Sequence, residues 1–372
     1  MSAEIFRCRL LIVLLAGATQ IDLAATAQAQ RDQQGETAAA ADEEPAVIEG
    51  AAEADAGWAI IQRAHEATKG ATTLEQLSAI ISQCEEGLTT GLTEDHVAYA
   101  NTLMAWAYNR RGELHAAAGQ EADALGDFES SAALDPGRWK TLYNRAVSYA
   151  NSGRLEEALA DLTKTVELKP DFVRAYFNRG EVQFASGDAR AAISDYDRAL
   201  RLSPRFAEGY VSRGFAHYTL GDYRTAMRDY DQAIRLDTKN AVAYVNRGDA
   251  LSDQGDYARA ARDYEQALRI NPDNSRACVS WAWLLATSPV ERYRNPEEAL
   301  KYAQRAIELE PQPHYRYLDV LAAAHAAAEE FEQAQEVQAQ AVALAPDEEK
   351  DIYQQRLDLY ASGRPYRSGR GR

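Results

Sequence analysis

The sequence predicts an all-α chain of stacked antiparallel helix pairs, and three observations lead there. Motifs recur every 34 residues through the middle of the chain, a period at which whole helix–turn–helix units repeat. Glycine and proline return at fixed places within each period, where they act as turns and stops. Apolar residues make up 46% of the chain with alanine foremost, and alanine is the strongest helix former. Such repeats stack into an α-solenoid, each touching only its neighbours.

Taken in order, residues 1–29 read as an export signal. Arg7 and Arg9 precede an apolar run, Leu10–Ala18, that is too short to span a bilayer as a helix. Ala27-Gln28-Ala29 has the small-x-small form of a cleavage site, with Ala25-Thr26-Ala27 as the second option and an uncleaved anchor as the alternative. The expected location is periplasmic or secreted. Residues 30–56 are rich in Ala, Gln and acids and hold too little apolar surface to order themselves, which makes them a disordered linker. Residues 57–92 form a divergent helical hairpin. Trp58, Ile61 and Ala64 make one apolar stripe, and Leu74, Leu77, Ile80 and Ile81 make another.

The repeat array occupies residues 93–348. Tyr176–Gly180 reads Tyr-Phe-Asn-Arg-Gly; shifts of 34 give Tyr-Val-Ser-Arg-Gly at 210–214 and Tyr-Val-Asn-Arg-Gly at 244–248. Gly119, Gly153, Gly187, Gly221 and Gly255 stand in register, as do Ala124, Ala158, Ala192, Ala226 and Ala260. Phe128, Leu162, Tyr196, Tyr230 and Tyr264 follow, and Pro136, Pro170, Pro204 and Pro272 close four of the repeats. A glycine inside a helix costs about 1 kcal/mol relative to alanine. Gly112, Gly180, Gly214 and Gly248 are therefore expected where a neighbouring helix comes too close for a side chain. The closing proline fixes where each second helix ends.

This pattern resembles the tetratricopeptide repeat. The resemblance covers 105–138, 139–172, 173–206, 207–240 and 241–274 without a gap, then 275–314 and 315–348 with a longer loop at Thr287–Pro296. It implies a right-handed superhelix whose inner face is lined by the first helix of each repeat. Residues 349–362 are expected as a cap helix over the last apolar face, and residues 363–372 as a flexible basic tail.

A net charge of −17 argues against nucleic acid as the partner. No metal-ligand spacing, phosphate loop or nucleophile arrangement stands out, so no cofactor, small-molecule substrate or enzymatic activity is expected. His115, His217 and His325 share the eleventh repeat position and are assigned to helix packing. Cys84 and Cys278 lie several repeats apart, too far to bridge in a solenoid, and are expected as buried or free thiols.

The function expected is capture of a protein or peptide segment on the inner face. Asn144, Asn178, Ser212 and Asn246 recur at the sixth repeat position, and an amide both donates to and accepts from a peptide backbone. The same residues also serve to tie adjacent repeats. Tyr143, Phe177, Phe184, Phe215 and Tyr218 stand nearby as candidate aromatic pockets. Family members that clamp a carboxylate tail carry Lys and Asn where this chain has Asn109 and Glu113. The alternative function is envelope assembly through the outer face. Oligomeric state is left open.

Overall fold

The computed structural model describes residues 56–310, 312 and 314–369. The export signal and almost all of the linker lie outside the described residues. Among the described residues the regular elements are seventeen α-helices and one short 3-10 turn, an all-α fold as expected. The chain divides into two compact bodies at the turn between Asp188 and Ala189.

The N-terminal body holds α1 (Ala56–Thr68), α2 (Leu74–Leu88), α3 (Glu94–Ala117), α4 (Glu121–Leu134), α5 (Trp139–Asn151), α6 (Leu155–Leu168) and α7 (Val173–Ala185). Thr73 starts α2 with a reciprocal capping box to Gln76, which satisfies two otherwise orphaned backbone donors. The stripes predicted on the first two helices meet in one core: Trp58, Ile61 and Ala64 pack with Leu77, Ile80, Ile81 and Cys84. Tyr99, Leu103 and Trp106 of α3 complete it. The first repeat was expected to open at 105, yet its helix begins at Glu94, capped by Thr93. The extra turns carry Tyr99 and Leu103, which seal the hairpin against the array.

The C-terminal body holds α8 (Ala189–Leu202), α9 (Ala207–Thr219), α10 (Tyr223–Leu236), α11 (Ala241–Asp253), α12 (Tyr257–Ile270) and α13 (Ser275–Thr287). It continues with α14 (Pro296–Glu308), α15 (Tyr315–Ala327), α16 (Phe331–Leu344) and α17 (Lys350–Ala361). The buried glycines explain the spacing of its pairs. A Cβ on Gly214 would lie 2.8 Å from the Tyr230 ring, and one on Gly248 2.6 Å from the Tyr264 ring. Both distances are shorter than real contacts allow, so the close approach expected from sequence is present at these two sites. Gly221 turns the chain between α9 and α10 with φ +82°, a conformation cheap for glycine alone. In the last repeat Glu329 occupies the equivalent position at φ 65°, where a side chain costs about 1–2 kcal/mol.

The longer loop between α13 and α14 is ordered by its own bonds. Glu291–Tyr293 makes the 3-10 turn, Asn295 N donates to Leu285 O at 3.1 Å, and the Asn295 side chain caps α14. Helix α17 packs on the preceding repeat, with Tyr353 and Tyr360 buried against it. The segment after it departs from the sequence reading. Expected as a flexible tail, residues 363–368 instead turn back on the body, with Ser368 N donating to Thr287 O at 2.9 Å. An aromatic contact drives this: the Tyr366 ring sits 5.6 Å from that of Trp283 and packs against the cluster of Ala322, Ala326, Ala334 and Tyr360.

Candidate functional site

The candidate residues divide between the two bodies. On the N-terminal body, Tyr143 and Asn144 lie on α5, and Phe177, Asn178 and Phe184 on α7. Asn144 Nδ2 donates to Asn109 Oδ1 at 3.1 Å and to Glu113 Oε1 at 3.2 Å, both on the preceding repeat. Asn109 is fully buried and also accepts from Thr141 Oγ1 at 3.2 Å while donating to Glu113 at 3.0 Å. Asn178 is nine-tenths buried and donates to the Tyr143 hydroxyl at 2.9 Å. Burial pushes that hydroxyl up to about 12. Both asparagines thus spend amide protons on joining one repeat to the next.

The three candidate aromatic side chains keep reachable surface in this body. Tyr143, Phe177 and Phe184 are half-buried. Phe177 and Phe184 stand seven residues apart on α7, hence on one helix face. The Arg174 guanidinium lies 6.0 Å from the Phe177 ring centre. An apolar face edged by a cation suits an extended segment that brings its own apolar side chain.

The candidates on the C-terminal body are more enclosed. Phe215 and Tyr218 are each 7% exposed and Asn246 is 4% exposed, while Ser212 is half-buried. Tyr218 donates to Asp253 at 2.5 Å and meets the Tyr223 ring edge-on at 5.6 Å. The Asn246 amide oxygen is buried with no hydrogen-bond partner. Beside it, Asp249 accepts from Tyr264 at 2.8 Å and from Arg276 at 3.1 Å. These groups are mostly taken up by contacts within the body.

A second polar system, absent from the sequence reading, joins the helices through arginine. Arg213 donates to Asp229 of its own repeat at 2.6 Å and to Asp197 of the preceding one at 2.6 Å. Arg247 does the same with Asp263 and Asp231, both at 2.7 Å. Each guanidinium thus clasps two successive second helices, a use suited to its planar fork of donors. In the N-terminal body Arg111 holds Asp127 and Arg145 holds Asp161, each through two bonds to one carboxylate. The signal was in the sequence: Arg recurs at repeat position seven and Asp sixteen residues later.

Two of the three histidines at the eleventh repeat position and both thiols have local partners or burial that account for them. His115 and His325 lie 2.9 and 2.7 Å from Gln120 and Glu330 across their turns, in keeping with a packing role. Burial raises the Cys84 thiol to about 12 and the Cys278 thiol to about 11, which leaves little reactive thiolate at neutral pH. Among the described residues no group of His, Cys, Asp and Glu is placed to hold a metal ion, and no helix is long and apolar enough to cross a membrane.

Comparison with known proteins finds repeats of this kind in the chain. Residues 143–206 and 241–274 match the tetratricopeptide repeat, and residues 217–255 match a further description of the TPR repeat. The chain contains tetratricopeptide repeats. Solved structures similar to it include MamA, at 24% identity over 44% of this chain and 96% of that one, with a TM-score of 0.41. YrrB, described as a TPR protein with an unusual peptide-binding site, is 19% identical over 46% of this chain and 89% of its own, with a TM-score of 0.41. Yeast Tom70 is 17% identical over 86% of this chain and 67% of its own, with a TM-score of 0.49. No curated protein matches the chain.

Proposed function

We propose that this protein is an exported, non-enzymatic interaction scaffold that captures a protein segment on the first-helix face of its repeats. The observation that carries the reading is the half-buried aromatic pair Phe177 and Phe184 on α7, with Tyr143 on the neighbouring α5. Buried aromatic anchors dominate interface energy, and two on one helix face set a spacing for the partner's side chains. The asparagines contribute by holding α5 and α7 in place, so the binding role first considered for Asn144 and Asn178 passes to the aromatics they support. Export is inferred from Arg7, Arg9 and Leu10–Ala18, followed by Ala27-Gln28-Ala29.

The test is photocrosslinking in cells from an amber-encoded probe at residue 184, compared with one at Arg201 on a second helix. A discrete adduct from 184 alone is expected, on a chain whose N-terminus is Gln30. Adducts from 201 alone would favour assembly through the outer face, and an intact Met1 would remove the export inference.

A further inference from the structure

The C-terminal segment is bound as a ligand would be. Tyr366 inserts its ring between Trp283 of α13 and the small residues Ala322 and Ala326 of α15. The Arg356 guanidinium of α17 lies 5.0 Å from the Trp283 ring centre and 4.9 Å from that of Tyr366, and it is ion-paired with Asp319 of α15. Two groups then use carbonyls that α13 cannot satisfy itself, since the last carbonyls of a helix lack intrahelical donors. Arg367 donates to Ala286 O at 2.9 Å, and Ser368 gives its N–H and its hydroxyl to Thr287 O at 2.9 and 3.0 Å. Trp283 stands at the ninth position of its repeat, as Phe215 does in the repeat beginning at Ala207. The segment therefore packs against the first helix of its repeat, the kind of helix that carries Phe177 and Phe184 in the N-terminal body.

A cap needs only apolar cover. This segment sets a ring in a notch beside a stacked cation of α17 and gives one backbone N–H and two side-chain donors to helix-end carbonyls, contacts of the kind by which extended peptides are read. We propose that α13, α15 and α17 form a second peptide-binding face, and that residues Pro365–Ser368 are its built-in competitor. The face selects an extended segment with an aromatic residue, then an arginine, then a small hydroxyl residue. A tethered occupant sits at an effective concentration near the millimolar range, so an outside segment binds only in proportion to the time the face is free.

The inference rests on the groove reading but is tested apart from it, on a different body of the chain. The probe is a fluorescent synthetic peptide of residues 361–372, titrated by anisotropy into the full chain. Tyr366→Ala with Arg367→Ala should loosen the chain's own tail and leave the face intact. Binding at least tenfold tighter than to wild type is expected, and adding Trp283→Ala should abolish it. If the double variant melts early, Ser368→Pro removes one donated N–H and should still give about a threefold gain, the occupied fraction falling with the tail's affinity. Equal binding to wild type and loosened chains, or no saturable binding to a folded loosened chain, would overturn the proposal and leave the tail as a cap. Crosslinking from residue 184 that persists in that case would show that the groove reading stands without the latch.

Discussion

The two bodies of this chain carry the same repeat and join their helices differently. In the N-terminal body the seam runs through amides: Asn109, Glu113, Thr141 and Asn144 form one network, and Asn178 with Tyr143 another. In the C-terminal body it runs through charge, with Arg213 and Arg247 each held by two aspartates. Asparagine at position six is the instructive case. Asn144 and Asn178 tie repeats together, while the Asn246 oxygen is buried without a partner. Recurrence at a repeat position shows that a residue type is tolerated there, and its neighbours decide the work it does.

The largest expected effect would break this contrast at its centre. Arg247→Ala strands Asp263, whose side chain is 8% exposed, and also frees the more exposed Asp231. Breaking a buried ion pair costs about 3–5 kcal/mol, and the partial exposure here lowers the expectation to about 2–4 kcal/mol. Arg145→Ala, which strands only Asp161, should cost less by the worth of one exposed pair, about 0.2–1 kcal/mol. The two buried thiols allow separate readouts, because Cys84 reports on the N-terminal body and Cys278 on the C-terminal one. Pulsed thiol labelling in urea should show Cys278 exposed early in the Arg247 variant and Cys84 unchanged. Equal losses for the two arginine variants would mean that the second aspartate adds nothing.

A smaller effect sharpens the asparagine comparison. Asn144→Ala should cost about 1–2 kcal/mol, because it takes a donor from buried Asn109. Asn246→Ala removes an acceptor that has no partner and should stay within about 0.5 kcal/mol of wild type or rise above it. Matching losses on denaturant titration would abolish the distinction between the two seams. The smallest change is a gain. Glu329→Gly relieves a left-handed backbone that the earlier repeats assign to glycine, and it should stabilise the last repeats by about 1 kcal/mol. A lower melting temperature would mean that the Glu329 side chain contributes more than its backbone costs.

The helix pairs were legible because helix-internal glycine, turn glycine and closing proline each answer a local constraint, and local constraints show in sequence. The Gly248–Tyr264 contact follows from that register alone. The site was less legible. Position six was visible as a row, but whether an amide faces solvent or the previous repeat depends on a residue 35 positions away, as with Asn144 and Asn109. The tail escaped for the same reason. A short arginine- and glycine-rich end reads as solvated until Trp283, some eighty residues earlier, is known to lie beside Tyr366. Contacts across such separations follow the stacking of whole helices, which no local pattern records.

The double clasp has a consequence for how such a chain can change its length. Arg213 and Arg247 are 34 residues apart, and so are Asp197 and Asp231, and Asp229 and Asp263. If residues 207–240 were excised, Arg247 would arrive sixteen residues after Asp197 and remain sixteen before Asp263. The new junction would carry the same pairing as the two it replaced. Copying the segment would work equally well, whereas losing half of it would break the sixteen-residue spacing between arginine and aspartate. Inheritance can therefore add or drop whole repeats here without first inventing a new seam, and the reach of the protein becomes something that grows in steps.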